Sequence, residues 1–408
     1  MLRHALAERL RSWPVLYEPW RRYREWQELT AFRRILDAYL GSELHPDALP
    51  YSSTIVGERL KAKRADRRPF LGPDGKAHVV AFGARQWEQY GLWPTFARLC
   101  HFALSEYGTE HIIGPTIRTP RSVTRQQQGD GFLAFIDARE REAQLPVSCA
   151  FFYASGAHIS DRLLSELTRR GIWTVIMSLD DKQQFIRPVD EKGEPHQIRV
   201  ARQCDLYWTT WKTGTQIVQN LGGTPWYAPE GADPAYHHPV QLNKDIEILF
   251  IGQSYGKRRA LVDYLRRRGF QVETFGWGWP NGYVSFEKTL ELYNRAQIVL
   301  GFGGVGQMQG VKHLKGRDFE VPMCGALYLT SYNPELADWF EIGSEILCYS
   351  SFEECADILH WILRNPGEAG KIRLAARGRC MSRNTWEHRL NLLFSLLSLP
   401  RKARRAIS

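Results

Sequence analysis

The sequence predicts an α/β protein built from two parallel-sheet units, and three observations carry that prediction. At 408 residues the chain exceeds one comfortable hydrophobic core, so two domains are expected. Short apolar runs alternate with amphipathic helical segments over most of its length, the pattern of parallel strands covered on both faces. A stretch rich in proline and small residues, "APEGADPAYHHP" from Ala228 to Pro239, interrupts the series, which then restarts.

The N-terminal segment opens with an apolar stripe. Tyr23, Trp26, Leu29, Phe32, Leu36 and Leu40 recur at helical spacing, interleaved with Arg21, Arg22, Arg24, Arg33 and Arg34. This predicts an amphipathic helix docked on its own domain, although an interfacial helix carries the same pattern. Lys61 to His78 combines a basic run with proline and glycine and reads as a linker, so residues 1–75 form a basic helical extension.

The first α/β series occupies 76–232. "HVVAFG" is a strand that feeds a helix through "WPTFARLCHFALSEYG"; "VSCAFFYASG", "IWTVIMSLDD" and "CDLYWTT" are further strands, separated by "DRLLSELTRRG" and followed by "KTGTQIVQNLGG". The second series, 244–380, alternates the strands "IEILFIG", "FQVETFG", "IVLGFGG" and "ALYLTS" with the helices "KRRALVDYLRRRG", "FEKTLELYNRAQ" and "DFEVPMCG". The segment from Phe352 is helical throughout, and 381–408 reads as a C-terminal helix and basic tail.

Composition excludes several classes. No apolar run reaches the eighteen or so residues of a membrane span, and the N-terminus lacks a signal-peptide pattern, so a soluble cytosolic protein is expected. The seven cysteines are scattered and never paired as Cys-x-x-Cys, which argues against a disulfide framework or a zinc site. Of the net charge of +10, residues 1–70 carry +5 and "RKARRAIS" carries +4. Basic ends suit an anionic membrane surface or an acidic neighbour; without a zinc-finger or RNA-recognition signature, nucleic acid is not expected as a partner.

Ligands of open α/β sheets bind outside the carboxyl ends of the strands, so the loops there are the candidates. The loop after "IEILFIG", with Gly252, Tyr255, Gly256, Lys257, Arg258 and Arg259, joins glycine and cations to a helix N-terminus, a phosphate-binding combination or simply a solvated helix start. It is neither a Walker loop nor a dinucleotide fingerprint. "GFGGVGQMQG", Gly301 to Gly310, reads as a flexible loop near the ligand. In "LKGRDFEVPMCGALYLTSYNPEL", Lys315 and Arg317 stand beside Glu320 at the start of a short helix. A glutamate there accepts both hydroxyls of a ribose while the cations neutralise a diphosphate; an Arg317–Glu320 ion pair is the alternative.

These residues resemble a known family. "KGRDFEVPMCGALYLTSYNPELADWFEIGSEILCYSSFEECADILHWIL" with "RNTWEHR" is similar to the C-terminal segment of the CgeB-like (spore maturation protein B) glycosyltransferases, relatives of family four of the GT-B enzymes; the likeness spans roughly 172–389 and fades toward the N-terminus. It implies two Rossmann-like domains facing a cleft (GT-B), a nucleotide-sugar donor held mainly by the C-terminal one, and no cofactor or metal. Carried over, Glu320 would bind the donor ribose, Lys257 or Arg258 and Lys315 or Arg317 the diphosphate, and Glu335 would stand near the sugar. The first of two glutamates separated by seven residues in many family-four enzymes falls on Lys312, a departure that touches the sugar contacts. Asp180 and Asp181, after "IWTVIMSL", would orient an acceptor hydroxyl or cap a turn, and His158 is the candidate for an N-domain histidine near the sugar.

The resulting expectation is a retaining, metal-independent transfer of a sugar from a nucleotide diphosphate to an acceptor hydroxyl on a glycan, lipid-linked molecule or protein. A nucleotide-sugar epimerase and a non-catalytic sugar-nucleotide or glycan-binding module are the alternatives.

Overall fold

The computed structural model of the chain describes residues 14–40, 53–67, 72–106, 112–113, 116–117, 124–305 and 308–399. The basic tail 401–408 and the first 13 residues lie outside them.

The first unit is a six-stranded sheet, parallel throughout, with strand order β2-β1-β5-β6-β7-β8. Its strands are β1 His78–Gly83, β2 His101–Glu106, β5 Cys149–Tyr153, β6 Trp173–Ser178, β7 Leu206–Thr209 and β8 Pro225–Tyr227; the small hairpin β3 Ile112–Ile113 with β4 Thr116–Ile117 stands apart. Every residue of β1, β5, β6 and β7 is buried, which explains why these strands are continuous apolar runs rather than alternating ones. Helices between them start on capping side chains: Thr124 and Gln127 form a reciprocal capping box at Arg125–Ala143, and Ser160 caps Asp161–Arg169.

The second unit is a five-stranded parallel sheet of order β10-β9-β11-β14-β15: β9 Ile246–Ile251, β10 Val272–Phe275, β11 Ala296–Leu300, β14 Leu327–Ser331 and β15 Leu347–Tyr349. The glycine-rich stretch after β11 is not a plain loop. It forms an antiparallel hairpin, β12 Gly304–Val305 with β13 Met308–Lys312. Apolar clusters cover both faces of both sheets, so each unit has a complete core.

Four segments sit differently from expectation. His101–Glu106, expected as the end of the helix through "WPTFARLCHFALSEYG", is instead the strand β2, paired parallel with β1 after the helix stops at Leu99. The helix Trp386–Leu397 crosses back to the first unit, where Trp386, Leu390, Leu393 and Phe394 join the cluster around Trp93, Phe96 and Trp208. Within the expected linker, the helix Ser53–Lys63 adds Val56 and Leu60 to the same cluster, and Arg67 donates to the buried Asp205 carboxylate at 3.1 Å. In the first helix, Pro14–Leu40, the docked face is carried by Phe32, Ile35, Leu36, Tyr39 and Leu40, whereas Tyr23 and Trp26 are exposed. Glu28, not an apolar residue, is the buried one on that turn, ion-paired with Arg187.

Candidate functional site

The carboxyl ends of the two sheets face each other across a cleft. Two adjoining cavities of about 580 and 770 Å³ fill it and share Glu88, Ile251, Gly252, Lys315, Arg317 and Glu320.

On the C-terminal side, β9 ends in Gly252, and close approach explains the glycine. A Cβ there would stand 3.0 Å from Arg317 Nη1, whose guanidinium donates to the Ile251 carbonyl at 2.8 Å. Gly276, at φ +115°, crosses directly over it: a Cβ at Gly276 would lie 2.5 Å from the Gly252 carbonyl oxygen. Two strand ends therefore meet with bare backbone exposed to the cleft.

The cations separate into three environments. Lys315 and Arg317, from the start of the helix Arg317–Met323, line both cavities. Arg258 is buried in the wall, donating to the Gln253 carbonyl at 3.0 Å and lying over the Tyr255 ring at 4.0 Å; burial lowers its pKa to about 10. Lys257, its neighbour, points elsewhere. With Gly256, Gly310, Lys312 and Ser331 it lines a separate cavity of about 610 Å³. The expected diphosphate role of Lys257 therefore has no geometric support, and Lys312 stands away from the cleft, over the Phe302 ring at 4.9 Å. The glycine-rich hairpin borders that same separate cavity rather than the cleft.

Glu320 lines both cleft cavities, 3.9 Å from His237 Nε2. Two further carboxylates join it that the sequence did not suggest. A Cβ at Gly316 would lie 3.0 Å from Glu320 Oε1 and 3.5 Å from both Glu230 carboxylate oxygens, so the two acids flank one point. Glu88, following β1, accepts from the Leu92 amide at 3.1 Å. Burial, and then the neighbouring carboxylates, raise the pKa of both Glu88 and Glu230.

The tandem aspartates divide. Asp180 faces the cleft and pairs with Lys315 across it at 2.7 Å. Burial would raise the Asp180 carboxyl, but Lys315 and His313 outweigh it and its pKa falls to about 2. Asp181 points the other way. Fully buried, it accepts from the hydroxyls of Tyr207, at 2.7 Å, and Thr209, and burial lifts its pKa to about 7. It anchors strand β7 and does not reach the cleft, which corrects its assignment to an acceptor site.

Glu335 also needs correction. It lines neither cleft cavity. Its carboxylate takes Lys182 Nζ at 3.1 Å, the Tyr227 hydroxyl at 3.3 Å and the Lys212 amide at 3.4 Å, all from the first unit, so it belongs to the seam between the units. His158 does line the cleft, with its Nδ1 3.3 Å from Gln128 Oε1; burial, then His196 and Arg125, depress its pKa to about 4. A neutral imidazole there suits hydrogen bonding rather than charge pairing. Tyr255 lines the second cavity, where its hydroxyl accepts from Arg258 Nη2 at 3.0 Å. The far end of that cavity carries Trp277 and Tyr283, 48% and 70% exposed. Among the described residues, no group of three or more His, Cys, Asp or Glu is placed to hold a metal ion.

Residues 257–395 match the family model described as glycosyl transferase-like. Among solved structures, the chain is similar to sucrose-phosphate synthase from Thermosynechococcus elongatus, with 13% identity over 79% of this chain and 99% of that one and a TM-score of 0.55. The chain has the GT-B glycosyltransferase fold. Similar at 10% identity is an alpha-glucosyltransferase in complex with UDP-glucose and DNA containing an abasic site, covering 79% of this chain and 99% of that one, TM-score 0.54. HepE from Anabaena, in complex with UDP and glucose, matches at 11% identity over 78% and 99%, TM-score 0.50. No curated protein matches the chain by sequence. The family-model match begins just after β9 and runs through the rest of the second unit into the helix that packs back on the first.

Proposed function

We propose that this protein transfers a sugar from a nucleoside diphosphate donor to an acceptor hydroxyl, with retention and without a metal, as the CgeB-like and family-four resemblance implies. One observation carries the reading: Lys315, Arg317 and Glu320 converge with the bare backbone of Gly252 in a single cleft. The two cations meet the diphosphate and stabilise its charge as it departs, and Glu320 accepts the ribose hydroxyls. The base stacks at the Trp277 and Tyr283 end, and the sugar extends toward Glu230, Asp180 and His158. The acceptor enters from the first unit, held so that its hydroxyl meets the donor in reactive geometry.

Peripheral membrane contact is part of the same proposal. Exposed Tyr23 and Trp26 stack at 6.1 Å on the first helix, beside exposed Arg22. Among the described residues no helix is long and apolar enough to cross a membrane.

The test of the donor reading is a thermal-shift series with UDP, GDP, dTDP and CMP and their sugar conjugates, on the wild type and Glu320→Ala. Stabilisation by one nucleotide, lost in Glu320→Ala, is the expected result. A folded protein that responds to none of them would overturn the reading. Binding without release of free nucleotide, across acceptors, would point to a non-catalytic module.

A further inference from the structure

Of the two cations at the proposed diphosphate position, only one is held by a carboxylate. Arg317 donates to a neutral backbone carbonyl, that of Ile251. Lys315 instead gives its ammonium to Asp180 at 2.7 Å, and Asp180 comes from the opposite unit, at the end of β6. The Asp180 side chain is 42% exposed, with Lys315 as its hydrogen-bond partner. The surroundings sharpen the competition, because Glu88, Glu230 and Glu320 line the same space. A diphosphate entering beside Glu320, with Glu88 and Glu230 pushed toward their protonated forms, needs the Lys315 charge, and Asp180 already occupies it.

We propose that Asp180 is a positioning residue that stands in for the diphosphate, releasing Lys315 when the donor binds and then turning its freed carboxylate to the acceptor hydroxyl. This rests on the donor reading above. It makes binding ordered. While Lys315 is bonded to Oδ1, its charge weakens Asp180 as an acceptor for a further hydroxyl; once Lys315 moves to phosphate, the carboxylate regains its full negative charge and both oxygens for the acceptor. The donor therefore prepares the acceptor position, and an acceptor arriving first finds it neutralised.

The consequence runs against the usual expectation for a cleft residue. Removing the Asp180 charge eliminates a competitor for Lys315, so it strengthens donor binding. For a partly exposed pair the gain is about two- to fivefold in Kd. The experiment is calorimetric titration of wild type, Asp180→Asn, Asp180→Ala and Lys315→Met with UDP, GDP and dTDP, each protein first shown to be folded by its thermal transition. Tighter binding of the same nucleoside diphosphate in both Asp180 variants, with at least tenfold weaker binding in Lys315→Met, is the expected result. Unchanged or weaker binding in the Asp180 variants, with Lys315→Met still impaired, would overturn the stand-in role and leave the donor reading intact. If the wild type binds none of the three, the donor reading fails and takes the stand-in role with it. A merely structural Asp180 would not tighten donor binding when removed.

Discussion

Glu335 separates two readings of the chain most sharply. The family resemblance places it near the donor sugar; the structure places it in the seam, facing Lys182. The perturbation is Glu335→Ala, which leaves Lys182 buried without its carboxylate: the two side chains are 8% and 11% exposed. Breaking one partner of a buried pair costs roughly 3–5 kcal/mol. Lys182 keeps its hydrogen bond to the Lys312 carbonyl, so the lower end, about 3 kcal/mol, applies. For a unit of this size about 2–4 °C accompanies each kcal/mol, giving a fall in Tm of roughly 6–12 °C. Scanning calorimetry measures it, and the double variant Lys182→Met/Glu335→Leu should recover most of the loss, because an apolar pair of similar volume removes the stranded charge. Donor affinity should change by less than about twofold, no larger than ordinary scatter between distant sites. Normal stability combined with a large loss of donor affinity would refute the seam assignment and restore Glu335 to the sugar site.

Three other outcomes are expected. Glu230 binds its proton more tightly when folded, so between the ordinary carboxylate range and about pH 8 the unfolded chain ionises first and stability falls as pH rises; Tm measured against pH should slope downward in wild type and less so in Glu230→Gln, and parallel curves would show that Glu230 titrates normally. Arg389 is 2% exposed and donates to the Pro229 and Arg383 carbonyls and to Asn384 while lying 4.2 Å over Trp339, so Arg389→Ala should cost at least ~3 kcal/mol in chemical denaturation, and a loss under ~1 kcal/mol would mean that water replaces it freely. Tyr23→Ser/Trp26→Ser should abolish sedimentation with anionic vesicles at unchanged Tm; if wild type does not sediment with them, the membrane proposal is wrong.

What the sequence disclosed and what it withheld follow from how far each signal reaches. Parallel sheets were legible because a strand buried on both faces reads as a near-continuous apolar run: β5 is apolar throughout, and β1 and β6 are interrupted only by His78, Thr174 and Ser178. That Lys315, Arg317 and Glu320 would line one cavity was legible because they fall within six residues at the start of a short helix. Direction was not. Asp180 and Asp181 are chain neighbours, yet one meets Lys315 across the cleft and the other is sealed beneath Tyr207 and Thr209; Lys257 and Arg258 divide in the same way. A one-residue step changes which way a side chain points, and no local pattern encodes which cavity lies there. Glu88 and Glu230 went unnoticed for a different reason: they are solitary acids far apart in the chain, brought together by the folding of the first unit and joined by Glu320 only where the second unit meets it. The same meeting of the units brings Trp386 onto the first sheet, a packing partner that a helical stripe does not name. The residues hardest to read are therefore those whose environment comes from segments distant in the chain, in their own unit or the other. Because the meeting of the units also makes the cleft, a substitution at the seam such as Glu335→Ala and one at the site such as Glu320→Ala must be distinguished by stability and by ligand affinity together.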